Sequence, residues 1–124
     1  MSEYHIPAKW PPTVNTYYRN TRGRVLISEN GRAYRISVAV AAMAARSNGS
    51  LPRSPLTGRL SVRLDLYQAD KRKRDIDNLP KALLDSLTKA NVWIDDSQID
   101  QLFIVRHNIK GLSHAMVHIS EMES

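Results

Sequence analysis

Asp75 and Asp77 stand two residues apart, and Lys81 follows Asp77 by four. In extended backbone, side chains at i and i+2 point the same way, so both carboxylates can face one point. A lysine one helical turn on shares the face of Asp77. Asp95 and Asp96 come later, after the apolar run Val92-Trp93-Ile94. If the chain returning from the intervening helix carries one of them beside Asp75 and Asp77, three carboxylates converge next to a lysine. Clustered carboxylates repel unless they are protonated or share a cation. Oxygen donors suit hard ions such as Mg²⁺ or Mn²⁺, and Mg²⁺ keeps open positions for water and phosphate.

Directly before the acids runs Lys71-Arg72-Lys73-Arg74. Bases that hold a phosphate backbone, beside acids that hold a metal, form the pairing that metal-assisted phosphodiester hydrolysis needs. Each part has a plainer reading as well. A D-x-D pair serves as a helix cap plus a solvated charge, and Asp95-Asp96 as a turn and a cap. Lys81 beside Asp77 or Asp85 makes an exposed ion pair of little weight. Only the conjunction points to a nuclease. A DNA-binding module without catalysis would use the same basic surface and leave the acids as caps. A metal-dependent nuclease for RNA or flaps is a further rival. A small-molecule phosphohydrolase is disfavoured, because there is no glycine-rich phosphate loop.

The elements that must position these residues read as follows. The segment YHIPAKWPP is a strand stopped by Pro11 and Pro12, since proline cannot donate to a ladder. TVNTYYRNTRGR reads as a polar, aromatic and basic loop with a turn at Gly23, and VLIS as a short extended piece. After Asn30-Gly31 a helix is predicted, with Ile36, Val40, Met43 and Ala44 at helical spacing and a stop at Asn48-Gly49. RLSVRLDLY alternates strictly, with Leu60, Val62, Leu64 and Leu66 on one face, as in a half-buried strand. A second helix begins near Asp77 or Asn78, with Pro80 in its first turn and Leu79, Leu83, Leu84, Leu87 and Ala90 as its apolar stripe. It ends near Asn91. Two strands joined at Lys110-Gly111 close the chain. The order β-α-β-α-β-β predicts an α+β fold, a mixed sheet packed with helices, in one domain over residues 1–124.

The chain has 18 Lys and Arg against 12 Asp and Glu, a formal charge of +6 that favours polyanionic partners. It has no cysteine, which excludes disulfides and thiolate metal sites. Neither a signal-peptide core nor the roughly 20 apolar residues of a membrane span is present, so a cytosolic protein without a membrane partner is expected. His5, His107, His114 and His118 show no ligand spacing with the acids.

The stretch from Lys71 to Gln98, with its KRKR, DIDNL, Lys81, LLDSLTKA and VWIDDSQI, closely resembles the RusA-type Holliday-junction resolvases. The opening segments WPPTVNTYYR, RGR and GRAYR match as well, so the similarity extends from about Trp10 to Ser120. The resemblance implies a Mg²⁺-dependent endodeoxyribonuclease, with Mn²⁺ as a substitute. It implies a two-fold homodimer that resolves four-way DNA junctions by paired symmetric nicks, in the recombination and repair of a bacterial or phage-infected cell. In the cytoplasm such a protein is nucleoid-associated while bound to DNA. The family's essential acids fall on Asp75, Asp77 and Asp96, and its essential lysine on Lys81. Its DNA-contacting segments fall around Thr13, Asn15 and Thr16 and on Lys71, Arg72, Lys73, Arg74 and Asn78. Arg19, Arg22 and Arg24 are expected phosphate contacts, and Tyr17 and Tyr18 either stack on distorted bases or pack on the sheet. Arg32 and Arg35 read as solvated helix face, and Asp95 as an outer partner of the site or a structural cap. Val14 departs from the pattern, since its side chain cannot hydrogen-bond DNA. Ile36, Val40 and Leu87 are candidate interface residues, not separable from core by pattern alone.

Overall fold

The computed structural model describes residues 3–123. Its first strand, β1 (Glu3–Lys9), contains Pro7 and lies at an edge of the main sheet, the place where a missing backbone donor is tolerated. Residues 10–13 lead into a single helical turn, α1 (Val14–Tyr17), and then into a tight hairpin of β2 (Tyr18–Thr21) and β3 (Arg24–Ile27). Arg22 and Gly23 at its tip have φ of 52° and 76°, as a two-residue hairpin turn with matching twist requires. The segment expected as a loop is therefore a helical turn and half of a ribbon. Its strands of four residues each carry too few apolar positions for alternation to register.

The helix α2 (Glu29–Ser47) is capped by Ser28, whose hydroxyl accepts from the Gly31 N–H at 2.9 Å. Gly31 thus lies inside the helix rather than before it. A Cβ there would collide with the Tyr17 carbonyl oxygen and meet Ile27 Cγ1 at 2.7 Å. Its absence lets α2 seat directly on the hairpin base. The face of α2 that turns inward is Gly31, Tyr34, Val38, Ala42 and Ala45. Ile36, Val40 and Met43, which signalled the helix in the sequence, are 65%, 59% and 64% exposed.

The strands β4 (Leu60–Gln68), β5 (Ile99–Asn108) and β6 (His114–Glu121) complete a four-stranded sheet in the order β1-β6-β4-β5. β4 and β5 are parallel, and the other pairs are antiparallel. A parallel pair needs a crossover, here α3 (Pro80–Lys89), flanked by 3₁₀ turns at Ile76–Asn78 and Asp96–Gln98. Leu79, Leu83 and Leu87 are fully buried, and the left-handed Asn91 (φ 61°) ends the run just beyond the helix. The core joins these leucines to Val38 of α2 and to Ile6, Leu60, Val62, Leu64, Leu66, Val117 and Ile119 of the sheet. Leu87 is therefore core, whereas Ile36 and Val40 remain free for an interface. The fold is α+β around a mixed sheet, with α1 and the β2–β3 ribbon added between the first strand and α2. No described helix is long and apolar enough to cross a membrane.

Candidate active site

The acidic residues divide into two groups by what their carboxylates touch. Asp65 takes Arg63, His107 Nε2 and His118 Nε2, the two imidazoles at 2.8 Å each. Burial pushes its carboxyl up, but the hydrogen bonds of Arg63, His107 and His118 prevail and hold it down at about 2. Asp70 binds Arg74 through both oxygens, at 2.6 and 3.0 Å. Asp85 accepts from the buried Tyr17 hydroxyl and, at 2.8 Å, from Arg35. Asp100 pairs with Arg59. Asp95 accepts from Ser97 Oγ at 2.6 Å, while its own N–H donates to Gln98 Oε1 at 2.9 Å. That turn makes Asp95 a structural residue of the 3₁₀ segment.

Asp75, Asp77 and Asp96 form the second group. All three are exposed, and among the described residues none has a side-chain hydrogen bond or ion pair to its carboxylate. Lys81 is likewise exposed on the first turn of α3, and Asp85, one of the two carboxylates offered as its plainer partner, binds Arg35 and Tyr17. Carboxylates spared from structural work, on short irregular turns, are the donor set a hard cation would use.

The returning segment does not bring Asp96 back beside Asp75 within one chain. Asp75 lines a cleft of about 660 Å³ with Gln68, Arg106 and Asn108, at the carboxyl end of β4 and its partner β5. The 3₁₀ turn holding Asp96 abuts the opposite end, where Arg59 donates to the Ser97 carbonyl at 2.8 Å and Gln98 Nε2 donates to the Gly58 carbonyl at 2.9 Å. Because β4 and β5 are parallel, the connection must run back down the sheet. Asp75 and Asp77 precede that crossover and Asp96 follows it. A nine-residue strand spans roughly 25–30 Å, and a ten-residue helix about 15 Å. Accordingly, these acids form no three-ligand metal group within one chain among the described residues.

The basic surface follows the sequence more closely. Lys71, Arg72 and Lys73 are exposed along the cleft that Asp75 closes. Arg74 is held by Asp70 and lies over the Trp10 ring at 5.3 Å, and its carbonyl accepts from Arg106. Arg106 was not anticipated: it sits on a strand, and only the pairing of β5 with β4 brings it to the cleft. Asn78 is half-buried, its N–H on the Asp75 carbonyl at 3.1 Å. Arg19, Arg22 and Arg24 are exposed on the ribbon, and Asn15 and Thr16 are exposed at its base, with Thr13 bonded to Thr16 at 3.2 Å.

Two expectations are overturned here. Tyr17 cannot stack on a base, because it is fully buried and its hydroxyl bridges Asp85 and Arg35. Arg35 is no solvated helix residue; it closes that triangle with Nε on Tyr17 at 2.7 Å. Tyr18, half-buried and edge-on to Tyr17 at 4.8 Å, stays at the surface. The triangle ties hairpin base, α2 and α3 together, and so fixes the ribbon relative to the helix that carries Lys81.

The chain as a whole is similar to known nucleases. The family model described as Endodeoxyribonuclease RusA matches residues 8–120. The chain is 39% identical over 122 residues to the crossover junction endodeoxyribonuclease of Enterobacteria phage 82, covering 98% of both chains. It is 37% identical, with the same coverage, to the proteins of that name from Escherichia coli K12 and Shigella sonnei.

Proposed function

Because the chain belongs to the RusA endodeoxyribonuclease family, we propose that it cuts four-way DNA junctions in paired nicks, as a two-fold homodimer, with Mg²⁺ at carboxylates contributed by both chains. The observation that carries this reading is the set of exposed carboxylates without partners, Asp75 and Asp77 at the basic cleft and Asp96 at the far end of the crossover. Asp75 and Asp77 would hold the ion from one protomer. Asp96, at the far end of the crossover, is supplied to it by the other. Homodimers with two-fold symmetry are the commonest oligomer, and a junction offers two equivalent strands to cut. The exposed stripe of Ile36, Val40 and Met43 on α2 is apolar surface that such a dimer can bury.

A divalent cation bound there supplies Lewis acidity and a lowered pKa for a bound water. The protein's own residues do the positioning. Lys71, Arg72 and Lys73 hold flanking phosphates without reading sequence. Arg74, locked by Asp70 and Trp10, keeps the basic loop in place at the cleft. Lys81 offers a compact ammonium to the scissile phosphate, where charge develops.

A synthetic four-way junction and a matched duplex test the reading. Wild-type protein should nick opposing strands symmetrically with Mg²⁺ and not with EDTA. Asp77→Asn should lose more than about a hundredfold in rate, beyond the upper range for residues that only support a metal ligand, while still binding the junction. Undiminished cutting by Asp77→Asn would remove that carboxylate from the site. Binding without cutting by wild type would leave a branched-DNA-binding protein.

A further inference from the structure

The face of the sheet turned away from α2 and α3 carries a second cluster of side chains, apart from the carboxylates and bases of the proposed cutting site. His5 and His118 are directly opposite each other in the β1–β6 register. Their Nδ1 atoms face one another at 2.7 Å, with the rings edge-on. One must donate and the other accept. The Nε2 of His118 points the other way and meets Asp65 Oδ2 at 2.8 Å. Asp65 is buried, its side chain only 7% exposed, so the proton on His118 is fixed at Nε2 and its Nδ1 presents a lone pair toward His5. An imidazole whose far N–H is held by a buried carboxylate is the usual arrangement of a metal-ligating histidine.

We propose that His5 and His118 form a binding site for a borderline transition-metal cation such as Zn²⁺, clamping edge strand β1 to β6. Two imidazoles on one tetrahedral ion, at about 2.0–2.1 Å each, set their nitrogens about 3.3 Å apart. The present separation is shorter by roughly 0.6 Å, a gap that a small swing of the exposed His5 ring opens. His5 then carries its proton on Nε2, and the ion takes the place of the shared hydrogen. The pair opens onto a cavity of about 490 Å³ whose lining includes Glu3, Arg63 and Ser120. Glu3 lies two residues before His5 on the same face of β1, where its carboxylate accepts from Ser120 Oγ at 3.2 Å. The one cation there, Arg63, spends its charge on Asp65 at 3.1–3.3 Å. Nitrogen donors also separate this site from the all-oxygen set of Asp75, Asp77 and Asp96, since imidazole suits Zn²⁺, Cu²⁺ and Ni²⁺ while carboxylate suits Mg²⁺.

The test is a calorimetric titration of the full-length chain with ZnCl₂ in excess Mg²⁺, paired with thermal unfolding and ring-nitrogen NMR. One Zn²⁺ should bind per chain and raise the unfolding temperature, with the Nδ1 signals of His5 and His118 shifting and those of His114 unmoved. His5→Ala, an exposed position, should weaken binding at least tenfold and abolish the thermal shift while leaving Mg²⁺-dependent junction cleavage intact. Asp65→Asn should weaken it roughly 10- to 100-fold, the range for an outer partner of a ligating histidine. Zn²⁺ binding that survives in His5→Ala, that perturbs other histidines instead, or that is absent from wild type would overturn the proposal and leave the pair as a proton-sharing hydrogen bond.

Discussion

At the scale of single residues, partnership separates the acids that build the fold from those available for chemistry. Asp85 is bonded to Tyr17 and Arg35 across three elements, and its carboxyl is held below the usual range: burial raises it, but the hydrogen bonds from Tyr17 and Arg35 outweigh that. Asp77 has no such partner among the described residues and stands in solvent. The two should therefore respond in opposite ways to the same isosteric change. Asp85→Asn leaves Arg35 with a weakened partner in a half-buried place and should cost about 1–3 kcal/mol of stability. Asp77→Asn should lie within about 0.5 kcal/mol of wild type, as exposed substitutions do, while abolishing cleavage. Urea unfolding of both variants, read beside the cleavage assay, checks the division. An Asp77→Asn variant as destabilised as Asp85→Asn would place Asp77 among the structural acids.

At the scale of elements, what the sequence disclosed and what it hid have separate physical causes. The alternation of Leu60, Val62, Leu64 and Leu66 and the stripe of Leu79, Leu83 and Leu87 are burial patterns, and the structure buries all of them. The apolar spacing in α2 is also real, but two faces of that helix are apolar or small, and Ile36, Val40 and Met43 belong to the outer one. Periodicity establishes a helix without saying which face meets the core. The ribbon was illegible because its identity lies in backbone pairing and in the positive φ of Arg22 and Gly23. Tyr17 was misjudged because its aromatic ring fits a DNA surface and a core equally well; its partners, Asp85 and Arg35, lie 68 and 18 residues away. The ribbon places Arg19 and Arg24 at the surface on paired strands, so they should act as phosphate contacts. Each such contact contributes about 0.9 to the slope of log affinity against log salt. Arg19→Ala with Arg24→Ala should lower that slope by about 1.8 while leaving junction preference over duplex in place. An unchanged slope in a salt titration of junction binding would remove the ribbon from the DNA surface.

At the scale of the whole molecule, the parallel pairing of β4 with β5 sets how far apart one chain holds the candidate acids. It fixes the direction of the crossover, and with it the separation of Asp75 and Asp77 from Asp96. Sequence spacing could not reveal this, because a return path of the same length through an antiparallel pair would have brought the acids together. If each site draws Asp75 and Asp77 from one protomer and Asp96 from the other, two inactive variants can repair each other. Asp77→Asn and Asp96→Asn homodimers should each fail to cut. In a mixed dimer, the Asp77→Asn chain retains Asp96 and its partner retains Asp75 and Asp77. One site is then whole and the other lacks both carboxylates. Mixed dimers, formed by co-expression with two different affinity tags, should regain single-strand nicking of a four-way junction without the paired second cut. Sites contained within one chain give the opposite result: each protomer of the mixed dimer stays defective, and no nick appears. Sequential purification over both tags isolates the mixed dimer, so that a silent assay counts against the shared site rather than against dimer formation.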